Sequence, residues 1–187
     1  FSSSIFTEAD VEMDHYFLYG GNLDGVIHGC RTLTGKAAML PRWAFGFVQS
    51  QERYETAAEM LDTAREYRRR GVGLDGIVLD WCSWEDGMWG QKTLDPARFP
   101  DPASFLAELH RKQVRFMVSI WPNMDEKTDD YRAFAERGLL LPFSNLYDAT
   151  RTEGRALYWE QVRENLYRYG VDAWWCDSSE PFTPEWT

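Results

Sequence analysis

Short apolar runs alternate along the chain with segments in which apolar side chains recur every three or four residues. A run of about four to eight residues, bounded by glycine, proline or polar clusters, is typical of a buried strand. Four runs have this pattern, namely 45–48, 76–80, 114–120 and 171–176. The segments between them have the period of amphipathic helices. The chain is therefore predicted to alternate strands with helices.

The helical segments carry recognisable capping residues at their ends. Asn22 is predicted to cap a helix that ends at Gly35, and Asp101 with Pro102 is predicted to start another. Further helices are predicted to stop at glycines, which adopt the left-handed conformation at low cost: Gly71, Gly138 and Gly170. The last helix is predicted to place four side chains on one face: Trp159, Val162, Leu166 and Tyr169.

Alternating helices and nearly continuous apolar strands are typical of an α/β fold with a parallel sheet covered on both faces. A doubly wound sheet and a barrel both fit this pattern. The barrel is favoured because no glycine-rich phosphate loop follows a strand, and because polar candidates follow several different strands. A (β/α)8 TIM barrel has eight strands. We therefore expect this chain to supply about the first four βα units of a longer chain.

The composition argues against several classes of partner. The 187 residues carry a formal net charge of −10, which repels a phosphate backbone, so we expect no nucleic acid. No apolar segment approaches the roughly 18 residues that span a membrane. The three cysteines lie far apart without metal-ligand spacing, and no metal site is expected. We expect a soluble protein of the bacterial-type cytoplasm or periplasm; homo-oligomerisation stays open.

The stretch 169–181 carries the most specific chemical signal. The apolar run 171–176 ends on Asp177, and Glu180 follows three residues later. Two carboxylates after a tryptophan-rich strand suit a site that cleaves sugars, since one ionised oxygen can attack an anomeric carbon while indole faces hold the ring. A strand that simply continues into polar loop residues fits about equally well.

Asp80 is the second candidate, because it lies at the end of a predicted strand and would be at the same edge of the sheet. From the residues alone, Asp80 and Asp177 pair as acid and nucleophile, which retaining glycosidases hold about 5 Å apart. A loop-capping role for Asp80 competes with this interpretation. Side chains alternate along a strand, so if Asp177 faces the mouth of the barrel, Trp175 does too and Trp174 packs in the core. The three histidines are scattered, and no histidine-based triad is expected.

A series of motifs follows the chain in order. The first are Pro41-Arg42-Trp43-Ala44-Phe45-Gly46, Gln49-Ser50 and Arg53-Tyr54, followed by Asp75-Gly76-Ile77-Val78-Leu79-Asp80-Trp81 with Trp84. The later ones are Ser119-Ile120-Trp121-Pro122-Asn123, Tyr147-Asp148-Ala149-Thr150 and Trp175-Cys176-Asp177-Ser178-Ser179-Glu180-Pro181. Together they resemble glycoside hydrolase family 31, in the family's order and over nearly the whole chain from about Asp14 onward. Several motifs in register are far more specific than any one of them.

The resemblance implies a (β/α)8 barrel behind an N-terminal β-sandwich. Residues 1–18 are then the end of the sandwich domain, 19–40 a connecting helix and linker, and 41–187 the first half of the catalytic barrel. It also implies an exo-acting, retaining enzyme that releases a terminal α-xylose or α-glucose from an oligosaccharide or other α-glycoside, with no metal or organic cofactor. A non-catalytic carbohydrate-binding relative or an inactive fragment is the alternative.

The resemblance also implies roles for individual residues. Asp177 is at the family's nucleophile position, and Glu180 is its companion acid. Asp80 is at the position where family members bind hydroxyls of the terminal sugar. This implied role replaces the pairing of Asp80 as the acid with Asp177 as the nucleophile. Trp121 lies at an aromatic wall of the same subsite, with Trp81 beside it. The family's general acid/base is an aspartate in the second half of the barrel, outside this segment.

Overall fold

The computed structural model describes residues 14–178 and divides the chain into two compact units, 1–40 and 41–187. The first unit contains helix α1, Leu23–Thr34, which starts where the Asn22 side chain accepts a 2.8 Å hydrogen bond from the Gly25 N–H. It ends at Gly35, whose φ of 85° is unfavourable for other residues, as predicted. The predicted sandwich end lies mostly outside the described residues, and the domain boundaries stay a prediction.

The second unit is built on a four-stranded parallel sheet in which each strand pairs with the next in chain order. Its strands are β1 Val48–Gln49, β2 Gly76–Leu79, β3 Arg115–Ile120 and β4 Ala173–Cys176. Its helices are α2 Ala57–Arg69, α3 Pro102–Arg111, α4 Asp129–Glu136 and α5 Thr152–Asn165. The predicted parallel order is therefore confirmed. Among residues 14–178, no helix is both long and apolar enough to cross a bilayer.

The first strand begins later than its apolar run predicts. Arg42–Phe45 is a 3-10 turn, entered from Pro41 with φ −64°, and the Gly46 N–H donates to the Trp43 carbonyl at its end. The Phe47 carbonyl is the first group to pair with the next strand, accepting from the N–H groups of Asp75 and Gly76. The predicted strand over 45–48 was thus wrong at its start, because a proline-led turn occupies these apolar residues.

The last helix is also shorter than its apolar period predicts. α5 ends at Asn165, and a 3-10 turn, Tyr167–Tyr169, leads to Gly170 with φ 102°. Val162 and Leu166 are buried, whereas Trp159 is 46% exposed. The single predicted face was therefore wrong in part, because the chain leaves the α-helix at Leu166, where φ is −128° and ψ is −57°.

The main core lies between the sheet and helices α2, α3 and α5. Ile77 and Leu79 of β2 and Phe116 and Val118 of β3 are fully or almost fully buried against side chains of these helices. At the opposite edge from the candidate site, the Asp172 carboxylate joins His110 at 2.7 Å and Arg115 at 3.0 Å. Contacts at the amino ends of the strands stabilise a barrel fold, whereas the carboxyl ends are free to carry a site.

Candidate active site at the carboxyl ends of the strands

Three candidate residues directly follow three neighbouring strands. Asp80 follows β2, Trp121 follows β3 and Asp177 follows β4. Because the strands are parallel, all three lie at the same edge of the sheet. The Asp177 N–H donates a 3.0 Å hydrogen bond to the Ile120 carbonyl, which holds Asp177 at the end of the β3–β4 ladder. Glu180 lies outside the described residues.

The strand register decides which side chains share a face. Leu79, Val118 and Trp174 lie level with one another across three strands, and they pack on the helical side. Side chains alternate along a strand, so Trp175 points to the opposite face. Trp175 is 51% exposed there. Trp174 contacts Trp159 edge-on with ring centroids 6.4 Å apart, which agrees with its predicted place in the helical layer, although it is only half-buried.

Four indoles from the loop after β2 and the end of β3 form one aromatic cluster. They are Trp81, Trp84, Trp89 and Trp121, with neighbouring ring centroids between 5.3 Å and 6.2 Å apart. Trp84 and Trp121 are buried, and the Trp121 ring is only 3% exposed among its neighbours. Trp81 and Trp89 are half-buried. The predicted aromatic wall therefore belongs to a packed cluster, and its contact with a sugar stays a prediction.

The backbone is strained immediately after both candidate carboxylates. Trp81 and Cys82, which follow Asp80, have φ values of 51° and 46°, and Ser178, which follows Asp177, has a φ of 47°. The left-handed conformation is unfavourable for side chains with a Cβ, above all for a bulky one such as Trp81. Such residues concentrate at functional sites, where the surrounding structure holds them in place.

Two side chains hold the strained loop. The Ser119 hydroxyl accepts a 2.7 Å hydrogen bond from the Trp81 N–H and lies 3.3 Å from the Leu79 carbonyl, to which it donates. The Arg98 guanidinium donates to the carbonyls of Cys82 and Trp84, the latter at 2.6 Å. Sequence reasoning did not name these two anchors. Ser119 lies inside a quoted motif, but its hydrogen bonds depend on the pairing of β2 with β3.

A cavity of about 370 Å³ opens beside Asp177. Its polar lining comes from the segment before α5, from α5 and from the end of β4: Tyr147, Asp148, Thr150, Tyr158, Cys176 and Asp177. Asp80 and Trp121 are not among its lining residues. Within the described part of the chain, the structure thus places Asp80 and Asp177 at one edge without joining them in one cavity. Their convergence on a single sugar stays a prediction.

The groups around this cavity have shifted protonation equilibria. Burial raises the pKa of the Tyr158 phenol well above its ordinary value, and the nearby Tyr147 adds to the shift. Burial likewise raises the pKa of Tyr147. The Asp148 carboxylate accepts a 2.6 Å hydrogen bond from the Thr150 hydroxyl, which lowers the pKa of Asp148. Both phenols therefore remain neutral donors near neutral pH, and Asp148 remains a carboxylate.

The loop that carries Trp81, Trp84 and Trp89 also contributes to a buried ion pair. Lys92 and Asp130 are 1% and 5% exposed, with the Lys92 Nζ 3.6 Å from an Asp130 carboxylate oxygen. Sequence reasoning missed both, because a lysine in a polar loop gives no signal that it is buried. Residues 14–178 contain no group of three or more histidine, cysteine or acidic side chains arranged to hold a metal ion.

Parallel βα units with polar and aromatic residues gathered at the carboxyl edge define a chain of the β/α-barrel class. Residues 37–187 match the model of the glycosyl hydrolases family 31 TIM-barrel domain. The chain is 36% identical to an α-xylosidase of Saccharolobus solfataricus over 179 residues, which are 96% of this chain and 24% of that protein. The chain therefore belongs to glycosyl hydrolase family 31.

Two solved structures of α-xylosidases are similar to this chain. The family 31 α-xylosidase from Xanthomonas citri superposes with a TM-score of 0.77 at 37% identity, over 83% of this chain and 19% of that one. A family 31 α-xylosidase from a soil metagenome, complexed with xylose, superposes with a TM-score of 0.73 at 35% identity, over 79% of this chain and 24% of that one. This chain spans about a quarter or less of the length of these relatives.

Proposed function

We propose that this chain carries half of the catalytic machinery of a retaining, exo-acting α-glycoside hydrolase. The observation that supports it most is the position of Asp177, which follows β4 at the carboxyl edge. The hydrogen bond from the Asp177 N–H to the Ile120 carbonyl holds it there. Barrel enzymes place their catalytic side chains at this edge. The substrate is an oligosaccharide or other α-glycoside with a terminal sugar small enough to be enclosed at the strand ends.

An α-xyloside is the proposed substrate in preference to an α-glucoside. The relative from Saccharolobus solfataricus and both structural relatives described above carry the name α-xylosidase, at 35–37% identity. The two sugars differ by a hydroxymethyl group at C5, so the discrimination depends on room and hydrogen bonding at that position. Loss or gain of such a group is worth only about tenfold to a few hundredfold in kcat/KM.

In the proposed mechanism, the Asp177 carboxylate attacks the anomeric carbon as the bond to the leaving group breaks, giving a glycosyl ester. Water then attacks the same carbon, so the configuration is retained. Asp80 holds hydroxyls of the terminal sugar, with Trp81, Trp121 and Trp175 around the ring. A second carboxyl group protonates the leaving oxygen and later deprotonates the water; we assign it to the later strands of the family's barrel. Glu180 is the companion acid of Asp177.

Replacement of the nucleophile tests the proposal in the full-length protein. Asp177→Asn keeps the shape of the side chain but cannot form the ester, so we expect nearly complete loss of kcat with little change in affinity. Asp80→Asn weakens hydrogen bonds that tighten as the ring distorts, so both affinity and rate should fall. Asp86→Asn is the control, because Asp86 lies in the same loop as the aromatic cluster and is exposed. It should leave both constants unchanged.

Rescue of activity by azide distinguishes the proposed roles of Asp177 and Asp80. In Asp177→Gly, a small anion can occupy the vacated space and attack the anomeric carbon, giving a glycosyl azide of inverted configuration. Asp80→Gly should not be rescued, because the nucleophile is still present there. Wild-type turnover by Asp177→Asn on both aryl α-xylosides and aryl α-glucosides would show that Asp177 is not the nucleophile. Binding of an α-glycoside by the wild type without any detectable turnover would favour a carbohydrate-binding protein.

A further inference from the structure

Lys92 is a charged side chain sealed inside the protein. It is 1% exposed, and its ammonium group lies 3.6 Å from the Asp130 carboxylate and 3.4 Å from the Gly90 carbonyl. The backbone N–H of Lys92 donates a 2.7 Å hydrogen bond to the same Asp130 oxygen. One residue of the tryptophan-rich loop is thus bound twice to a single carboxylate at the start of α4.

The same ammonium group reaches the end of β3 through a tyrosine. The Lys92 Nζ lies 4.5 Å from the centroid of the Tyr158 ring, a cation–π distance. The Tyr158 hydroxyl donates a 2.8 Å hydrogen bond to the Trp121 carbonyl. Through Gly90, Lys92 also holds the residue next to Trp89, whose ring centroid is 5.7 Å from that of Trp121. Lys92 is therefore linked to the backbone next to Trp89 and, through Tyr158, to the backbone of Trp121.

This arrangement is costly for folding. Removing an ammonium group from water is unfavourable, and one carboxylate at 3.6 Å repays only part of that cost. Burial lowers the pKa of Lys92 from 10.5 to about 8, with Asp130 opposing the shift. A pair of apolar side chains of similar volume would fill this space at less cost. A buried charge that lowers stability and is linked to the aromatic cluster indicates a role beyond packing.

We propose that Lys92 is a positioning residue for the predicted sugar site: its ammonium group, between Asp130 and Tyr158, fixes the Trp89–Trp121 side of the aromatic cluster in its binding arrangement. The proposal rests on the proposed function for the identity of the ligand. It assigns Lys92 no contact with the substrate. It requires only that the aromatic cluster change its arrangement when Lys92 loses its positive charge.

The proposal has a consequence for pH, because Lys92 loses its proton in an accessible range. The other titratable groups that face this assembly are Asp130 on α4, Tyr158 on α5, and Tyr147 and Cys176 beside Tyr158. Burial raises the pKa of both tyrosines, so they keep their protons while Lys92 deprotonates. Above about pH 8, Asp130 is left without its counter-ion and Tyr158 without its cation. Binding of the sugar should then weaken.

Stability should change in the opposite direction over the same range. The pKa of Lys92 is lower in the folded state, so the unfolded chain binds more protons between about pH 8 and pH 10.5, and the contribution of Lys92 to the free energy of unfolding rises with pH. If Lys92 only packed the core, the free energy of unfolding would rise at alkaline pH, and the affinity for the sugar would stay unchanged or increase. Opposite trends in stability and affinity distinguish a positioning role.

The test compares the full-length wild type with Lys92→Met/Asp130→Leu, which removes both charges and leaves no uncompensated carboxylate. In the wild type, KM for an aryl α-xyloside should rise about three- to tenfold between about pH 7 and about pH 9, the loss expected for one hydrogen-bonded contact. In the double variant, KM at both pH values should exceed the wild-type KM at about pH 7 by the same three- to tenfold factor. Cys176 is present in both proteins, so it does not contribute to the difference between them.

A second readout does not depend on catalysis. Coupled indoles give an exciton band in far-ultraviolet circular dichroism, and the 5.3–5.7 Å contacts among Trp84, Trp89 and Trp121 are close enough to produce one. This band should titrate near pH 8 in the wild type and be pH-independent in the double variant. Arg132→Met is the control, because it breaks an exposed ion pair of α4 and should change neither readout.

The outcomes separate the two proposals. A band that titrates without any turnover would support the positioning role and contradict the proposed hydrolase. A double variant with wild-type KM and a wild-type band at both pH values would overturn the positioning role, whatever its stability. So would a wild type whose affinity and stability rise together above about pH 8.

Discussion

The Ser119 hydroxyl accepts a 2.7 Å hydrogen bond from the backbone N–H of Trp81, joining the ends of β2 and β3 one residue beyond Asp80. Ser119 is 1% exposed, whereas Trp81 is half-buried. The bond holds Trp81 in its left-handed conformation, at φ 51°. A side chain of β3 thereby determines where the chain turns after the Asp80 carboxylate.

Ser119→Ala should therefore affect both stability and binding. We expect the free energy of unfolding to fall by about 1–2 kcal/mol, because the partly buried Trp81 N–H loses its acceptor. KM for an α-glycoside should rise, since Asp80 and Trp81 are no longer fixed. Urea unfolding and steady-state kinetics measure the two effects. Thr34→Ala removes an exposed hydrogen bond from the Thr34 hydroxyl to the Cys30 carbonyl and should cost no more than about 0.5 kcal/mol.

Gly90 allows the tryptophan-rich loop to pack directly against the backbone of Asn123, which follows β3. A Cβ at this position would lie 2.0 Å from the Asn123 carbonyl oxygen, and φ is +76°. Gly90→Ala should destabilise the fold by about 3 kcal/mol or more, because the clash is with backbone and adds to the conformational strain. Gly87 has the same φ of +76° with nothing within 4 Å, so Gly87→Ala isolates the strain, at about 1 kcal/mol. Equal losses in thermal unfolding would contradict this account.

Arg98 is the cationic anchor of the same loop. Its guanidinium group donates to the carbonyls of Cys82 and Trp84 and to the Asp95 carboxylate at 2.8 Å. Lysine keeps the charge but not the planar fork of donors, so Arg98→Lys should cost about 1–3 kcal/mol in the free energy of unfolding. The exposed Arg132→Lys is the matched change and should stay within about 0.5 kcal/mol. Similar midpoints of urea unfolding for both variants would count against the anchoring role.

The sheet was predictable because its signals are local. An apolar run bounded by capping residues is read from a few neighbours in the chain, and the order β1 to β4 follows from right-handed parallel connections. The start of β1 was not predictable from apolar character alone, since Trp43 and Phe45 lie in a proline-led turn. A turn and a short strand can carry the same apolar residues.

The candidate site likewise contains residues that could be predicted from the sequence and residues that could not. Asp80 and Asp177 could be named because each lies at the carboxyl end of a predicted strand, and the family resemblance assigned their separate roles. The pair of Lys92 and Asp130 could not be found, because its members are 38 residues apart and meet only when the loop folds over α4. A charge pattern along the chain gives no sign of such a contact, which depends on tertiary packing.

The adjacent Trp174 and Trp175 offer a test of the strand register with one residue type. Trp174 lies level with Val118 and Leu79 in the helical layer and contacts Trp159, whereas Trp175 faces the other side of the sheet and is 51% exposed. Trp174→Ala should lower the free energy of unfolding by about 2–3 kcal/mol, at the low end for a large-to-small change because the ring is half-buried. Its effect on kcat/KM should be small.

Trp175→Ala should give the reverse pattern in the full-length protein. We expect at least about a tenfold loss of kcat/KM on an aryl α-xyloside, because the indole is proposed to contact the sugar, with less than about 1 kcal/mol lost in stability. Trp175→Phe should restore part of the affinity, since it keeps an aromatic face. Urea unfolding and steady-state kinetics on both variants decide the matter. A one-residue slip of β4 would exchange the two phenotypes, because it moves every side chain of the strand to the opposite face.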